Sequence, residues 1–335
     1  MKRNASIELL RILLMFGICL CHSVGAGGHI CEPVRNIFMM CTVGFIFISG
    51  WFGIRLSLWR IAKLLGIALF AWLVVALENY YLHGRIVFDL FDHLLQWWFL
   101  RAYLMLMVLS PILNCIVQCI TSADAKVRRD AYIAVGLAVL GIYGAAWPMH
   151  SGWLPKIRVF LTLGCPCQPG TMCVIYLLAR VLKVTGFLEK LNWKICSIGI
   201  IISCIFACVS KSFSNYNSPF DFIFAASIFY FSKFKLKESR FSRLVLFAAP
   251  SMFFIYLYHS HGTPGFVLLS SFQCWLVDGG LWIPLAWLIT AIVIFFIGLV
   301  LDMVRRVIIG RAVSMKPPFG GLVETRPTAK ELEGK

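Results

Sequence analysis

Charge is scarce in this chain. Only 14% of its 335 residues are Asp, Glu, Lys or Arg, and just 15 of them are acidic; soluble globular domains carry about 25%. A folded surface in water needs charge every few residues, so the shortage excludes a soluble enzyme. There is no internal repeat with a period of about 20–50 residues, which excludes a solenoid, and no stretch that reads as a soluble domain. Metal-ligand spacing is missing too. Cys165-Pro-Cys167 is not a zinc spacing and no His pair completes it, so no metal is expected. What the chain does have is apolar: 60% hydrophobic and 15% aromatic side chains, with a mean hydropathy of +0.84. Its charges sit in short breaks between long apolar runs, which is how a polytopic membrane protein reads.

Ten runs approach the roughly 20 apolar residues that cross a bilayer. They are 9–24, 37–54, 61–82, 97–120, 131–147, 159–182, 193–209, 218–234, 244–259 and 281–304. The expected fold is all-α, a polytopic bundle of about ten transmembrane helices with both termini cytoplasmic. Residues 1–310 form the membrane domain; 311–335, with Pro317, Pro318 and dense charge, form a cytoplasmic tail lacking the apolar residues to fold. In this topology 24 of the 31 basic residues fall on the inner side and 5 on the outer, as the positive-inside rule requires. The net charge of +16 is therefore topological: membrane lipid is an expected partner and nucleic acid is not. The first run is not a cleaved signal peptide, because an apolar signal core should not hold Arg11. Most cysteines lie inside the runs as small apolar groups. Cys31 and Cys274 both fall in outer connections, which leaves a disulfide between them open.

Ionisable groups at membrane depth are uncommon and point to function. The first run holds two, Arg11 and His22. Eleven residues at about 100° each make three turns plus roughly 20°, so both side chains leave one helix face, about 16 Å apart along the axis. Two readings are open here: a polar path through the membrane, or an arginine that snorkels and a histidine that caps the outer end. Glu78, Arg101, Asp221, His259 and His261 fall at a depth similar to His22. Arg55, Arg60 and Lys63 cluster on the Arg11 side, suited to a phosphate-rich ligand or to anionic lipid. Two prolines and two glycines between Leu163 and Gly170 break the sixth run, as expected where backbone lines a cavity. Trp97-Trp98-Phe99 reads either as an interfacial aromatic belt or as a platform for stacking a sugar.

Several of these segments resemble, in order, the motifs of one family. Asn4-Ala-Ser-Ile-Glu-Leu-Leu-Arg11, ten residues and then His22-Ser23 resembles the Arg-x10-His start of the membrane acyltransferase 3 family. Phe45-Ile-Phe-Ile-Ser-Gly-Trp-Phe52 is similar to its second span; Trp98-Phe-Leu, Tyr103 and Leu109-Ser-Pro-Ile-Leu-Asn114 are similar to its fourth. Ser218-Pro-Phe with Phe229 resembles a late helix, and Ile255-Tyr-Leu-Tyr-His259 the segment near its end. The resemblance implies a bacterial inner-membrane O-acyltransferase. An acyl-CoA, usually acetyl-CoA, would serve as co-substrate from the cytoplasm, with no permanently bound cofactor, and the acceptor would be a hydroxyl of a cell-surface or lipid-linked carbohydrate. It further implies His22 as general base and Arg11 on the donor side, helped by Arg55, Arg60 and Lys63. Ser49 or Arg101 would steady the oxyanion, and Glu78, Trp98 and His259 would support the acceptor. The broken sixth run departs from the family's regular helix, and no appended hydrolase-like domain follows the tenth. Two other classes remain open on the residues: a secondary transporter or flippase for a sugar or small anion, although no two related halves are seen, and a non-catalytic membrane sensor.

Overall fold

The first helix begins at a side-chain cap. The computed structural model describes residues 4–26, 30–84, 97–140, 169–209, 216, 218–236, 241–260 and 263–312. In it Asn4 is extended, and its side-chain oxygen accepts from the N–H groups of Ser6 (3.0 Å) and Ile7 (3.3 Å). First-turn donors have no partner within their own helix, so this cap fixes where α1 (Ala5–Gly25) starts. Then follow α2 (Glu32–Phe52), α3 (Leu58–His83), α4 (Trp98–Ile120), α5 (Ala125–Val139), α6 (Pro169–Thr185) and α7 (Trp193–Val209). Helix α8 (Pro219–Tyr230) runs into a π turn, Phe231–Lys235. A bent rod is made of α9 (Ser242–Ala248), a 3-10 turn Ala249–Ser251 and α10 (Met252–Tyr258), and α11 (Pro264–Asp278) and α12 (Ile283–Ala312) follow; a single helical turn, Phe187–Lys190, lies between α6 and α7. No strand occurs among the described residues.

Helices α1, α2 and α4, with Leu58–Tyr81 of α3 and Ile283–Ile308 of α12, are each long and apolar enough to cross a membrane. Their outer faces agree. Leu65, Leu69, Leu73 and Leu77 form an i,i+4 row on α3, and all four are exposed. A row of this kind is a liability in water and costs nothing against lipid tails. The chain is an all-α membrane protein.

Helix α2 occupies the centre, packed against α1, α6, α7 and α8. It runs antiparallel to α1, with Gly17 against Cys41 and Leu14 against Gly44. Small residues let membrane helices approach closely. The closest approach is at Gly50, where a Cβ would lie 2.6 Å from the carbonyl oxygen of Tyr176 on α6. Just beyond α2, three residues close a ring: the Ile54 N–H donates to the Tyr176 hydroxyl (2.9 Å), that hydroxyl donates to Asn114 Oδ1 (2.8 Å), and Asn114 Nδ2 donates to the Ile54 carbonyl (2.9 Å). Both backbone groups of Ile54 are thus satisfied by side chains from α4 and α6.

The α9–α10 rod bends where Pro250 interrupts the helical ladder. Helix α12 holds that bend. Its buried Asp302 accepts from Arg305 Nε and Arg306 Nε, both at 2.7 Å, and from the Ser251 hydroxyl at 2.7 Å. Arg306 also donates to the Phe247 carbonyl (2.9 Å) and to Ser251 Oγ.

Three features depart from the sequence expectations. Helix α2 starts at Glu32 rather than near residue 37, because Pro33 fits a first turn and the Glu32 carboxylate suits a helix N-terminus. Residues 264–278, expected as an outer connection, form α11. Thr263 caps it, Pro264 opens it, and Gln273 Nε2 donates to the Ala26 carbonyl at 3.1 Å. At 15 residues α11 is too short to register as a span. Cys274 therefore lies on a helix, and no disulfide joins it to Cys31. Part of the fifth run, the broken stretch 163–168, His261 and the tail from 313 lie outside the described residues.

Candidate functional site

Arg11, Met15, Ile18 and His22, one face of α1, line a cavity of about 260 Å³. The stripe expected from the eleven-residue interval is therefore present, and it faces a space rather than lipid. Opposite stand Thr42, Phe45 and Ser49 of α2, Phe99 and Tyr103 of α4, and Pro250, Met252, Phe253 and Tyr256 of the bent rod; Leu64 comes from α3. Phe99 packs against Phe45, Tyr103 and Tyr256, with centroids 6.3, 6.0 and 5.4 Å away. The wall is thus aromatic, with a few hydroxyls placed along it.

At one end of the stripe His22 Nδ1 lies 3.3 Å from the backbone carbonyl of His259. A carbonyl only accepts, so in a neutral ring the proton of this bond is on Nδ1 and the lone pair on Nε2. That is the tautomer a general base requires. His259 does not line the cavity: it is 0% exposed, behind His22, with ring centroids 4.9 Å apart. Its Nδ1 faces the Ile255 carbonyl, which again fixes the tautomer, so its Nε2 accepts from the Cys19 thiol at 3.6 Å. The carbonyl that orients His22 is itself held between α10 and α1.

At the other end Arg11 Nη1 bonds both oxygens of Glu8, at 3.1 and 3.3 Å. The Glu8 side chain is 8% exposed and that of Arg11 35%. A buried carboxylate one turn away therefore aims a guanidinium that still reaches the cavity. Glu8 is a site residue that sequence reasoning passed over, although its i,i+3 spacing from Arg11 was visible.

The other expected site residues divide. Ser49 lines the cavity, but its hydroxyl donates to the Phe45 carbonyl at 2.9 Å, which uses its proton. Trp98 lines it with Tyr216, their rings 5.1 Å apart. Glu78 lies off the cavity and accepts from the Tyr258 hydroxyl at 3.0 Å. Arg101, Arg55, Arg60 and Lys63 are exposed and outside the lining. Asp221, instead of facing a ligand, closes a capping box with Ser218 at the start of α8. Among the described residues no group of His, Cys, Asp and Glu could hold a metal. Tyr103 and Tyr256 were not singled out from sequence as site residues, yet both place hydroxyl-bearing rings on the wall.

A family model described as an acyltransferase domain, that of acyltransferase 3, matches residues 4–303, from the Asn4 cap to the last third of α12. The chain belongs to this family of acyltransferases. No curated protein and no solved structure gave a match.

Proposed function

We propose that the protein is an O-acyltransferase that carries an acyl group, acetyl being the simplest, from an acyl-CoA at the Arg11 end of the cavity to a carbohydrate hydroxyl at the His22 end. The observation that carries this reading is the single cavity lined at one end by Arg11 and at the other by His22. In the bacterial inner membrane, with ten spans and both termini inside, the first end faces the cytoplasm and the second the outer leaflet. The exposed cations Arg55, Arg60 and Lys63 then face the compartment that holds the donor and draw in its phosphates.

The chemistry needs few groups. His22 Nε2 takes the proton of the acceptor hydroxyl, whose oxygen attacks the thioester carbonyl carbon. The C–S bond breaks, the ester forms, and the departing thiolate recovers the proton from the imidazolium to leave as free CoA. Arg11, steadied by Glu8, holds the donor against the cavity. Tyr103, whose side chain lines the cavity, is the hydroxyl we assign as donor to the negative charge that develops on the carbonyl oxygen. Trp98 and Tyr216 offer apolar faces on which a sugar ring stacks.

His22→Ala tests the reading. Surface glycans from a strain carrying only this variant, inserted at wild-type level, lose one acyl mass increment that the wild-type gene restores. Glycans that keep the acyl group with His22→Ala would overturn it.

A further inference from the structure

Three cations meet where α2 ends, apart from the Arg55, Arg60 and Lys63 group. Gly53, the residue after α2, has φ of +79°, a conformation that favours glycine. The Arg180 guanidinium lies over it: a Cβ there would be 3.1 Å from Nη1 and 3.2 Å from Cζ. One turn on along α6, Lys183 Nζ sits 5.8 Å over the Phe52 ring. From the π turn, Lys233 completes the group, and the positive charges of Arg180 and Lys233 both bear on Lys183. Among the described residues none of the three has a carboxylate within 4.0 Å. Arg180 Nε is buried without a hydrogen-bond partner.

Three like charges held together, one with an unused buried donor, favour an anion that joins them. Arginine's fork and lysine's point charge are the usual partners of phosphate. The cluster is also placed for a cavity ligand. It begins one turn of α2 below the cavity residue Ser49, to which the Gly53 N–H is bonded at 2.9 Å. It lies at the Arg11 end of the bundle, because Ser232, next to Lys233, donates to the Ser6 carbonyl at 2.6 Å. We infer that Arg180, Lys183 and Lys233 form a phosphate-binding site at the mouth of the cavity. Its ligand is a phosphate-bearing molecule, and taking that molecule to be the acyl-CoA donor rests on the function proposed above.

Equilibrium binding to the purified full chain tests the site without any turnover. Arg180→Gln and Lys183→Gln should each weaken CoA binding about tenfold or more and leave binding of pantetheine, which has no phosphate, unchanged. If CoA binding is unaltered but both variants lose the extra thermal stability that phosphatidylglycerol bilayers give over phosphatidylcholine, the phosphate is a lipid headgroup and the site stands. If neither readout moves, the site does not bind phosphate. Arg180→Lys keeps the charge but not the fork and should recover part of the affinity that Arg180→Gln loses, which separates loss of the site from loss of the fold. CoA binding that depends on these residues in a protein unable to transfer an acyl group would leave this site intact and sink the function instead.

Discussion

His22 is oriented by the backbone of His259: its Nδ1 donates to that carbonyl at 3.3 Å. The His259 imidazole acts one step further back, through Cys19 and the Ile255 carbonyl. Replacing the two histidines should therefore have unequal effects. His22→Ala should lower single-turnover acyl transfer by about 10²–10⁴-fold, the usual worth of a general base. His259→Ala should cost less and show as a fall in kcat with donor KM unchanged, and His259→Asn, which can still donate to Ile255, should recover part of it. Equal losses for both would mean that His259 itself touches substrate.

Glu8 and Arg11 should behave as one unit. Glu8→Gln removes the charge that aims the guanidinium while leaving Arg11 in place, so donor KM should rise. The double variant Glu8→Gln/Arg11→Gln should be little worse than Arg11→Gln alone. A double-mutant cycle on kcat/KM should give a coupling of about 0.5–3 kcal/mol; strict additivity would separate the two residues.

The ring joining Ile54, Tyr176 and Asn114 predicts a stability effect. Asn114→Ala strips a partner from both the Tyr176 hydroxyl and the Ile54 carbonyl, and each buried group so orphaned costs about 1–3 kcal/mol. Thermal unfolding in detergent should show the loss. Tyr176→Phe, which also leaves Asn114 Oδ1 and the Ile54 N–H unpaired, should fall in the same range.

Asp302 bridges two arginines and a serine without exposure. Asp302→Asn leaves buried or half-buried guanidinium groups uncompensated, at about 3–5 kcal/mol. Because the same carboxylate anchors the Ala249–Ser251 turn beside the cavity, the surviving folded fraction should also show a raised KM. A drop in melting temperature with unchanged kinetics would mean that the turn holds its own shape.

The stripe from Arg11 to His22 was legible because helical periodicity alone decides which side chains share a face. What the sequence hid depends on rotation and on backbone. Nothing in the type of residue 259 announces that its backbone carbonyl would pair with His22 Nδ1. Arg60 and Lys63 carry the right charge for a donor, yet the rotation of α3 turns them outward and gives the cavity Leu64 in their place. Helix α11 was hidden by length, since a search tuned to bilayer-spanning runs reads a 15-residue segment as a connection. Asp221 looked like an intramembrane charge until its cap to Ser218 accounted for it.

Both ends of the cavity are carried by α1 itself. In an unbroken helix eleven residues fix a separation of about 16 Å and a common face, whatever the neighbouring helices do. Helix α1 is in this sense a ruler: it sets the length of the molecule that can touch Arg11 with one end and His22 with the other. One residue inserted between them would lengthen that scale by only about 1.5 Å but leave the two marks about 120° apart, so the gauge tolerates a change in reach far better than a change in count.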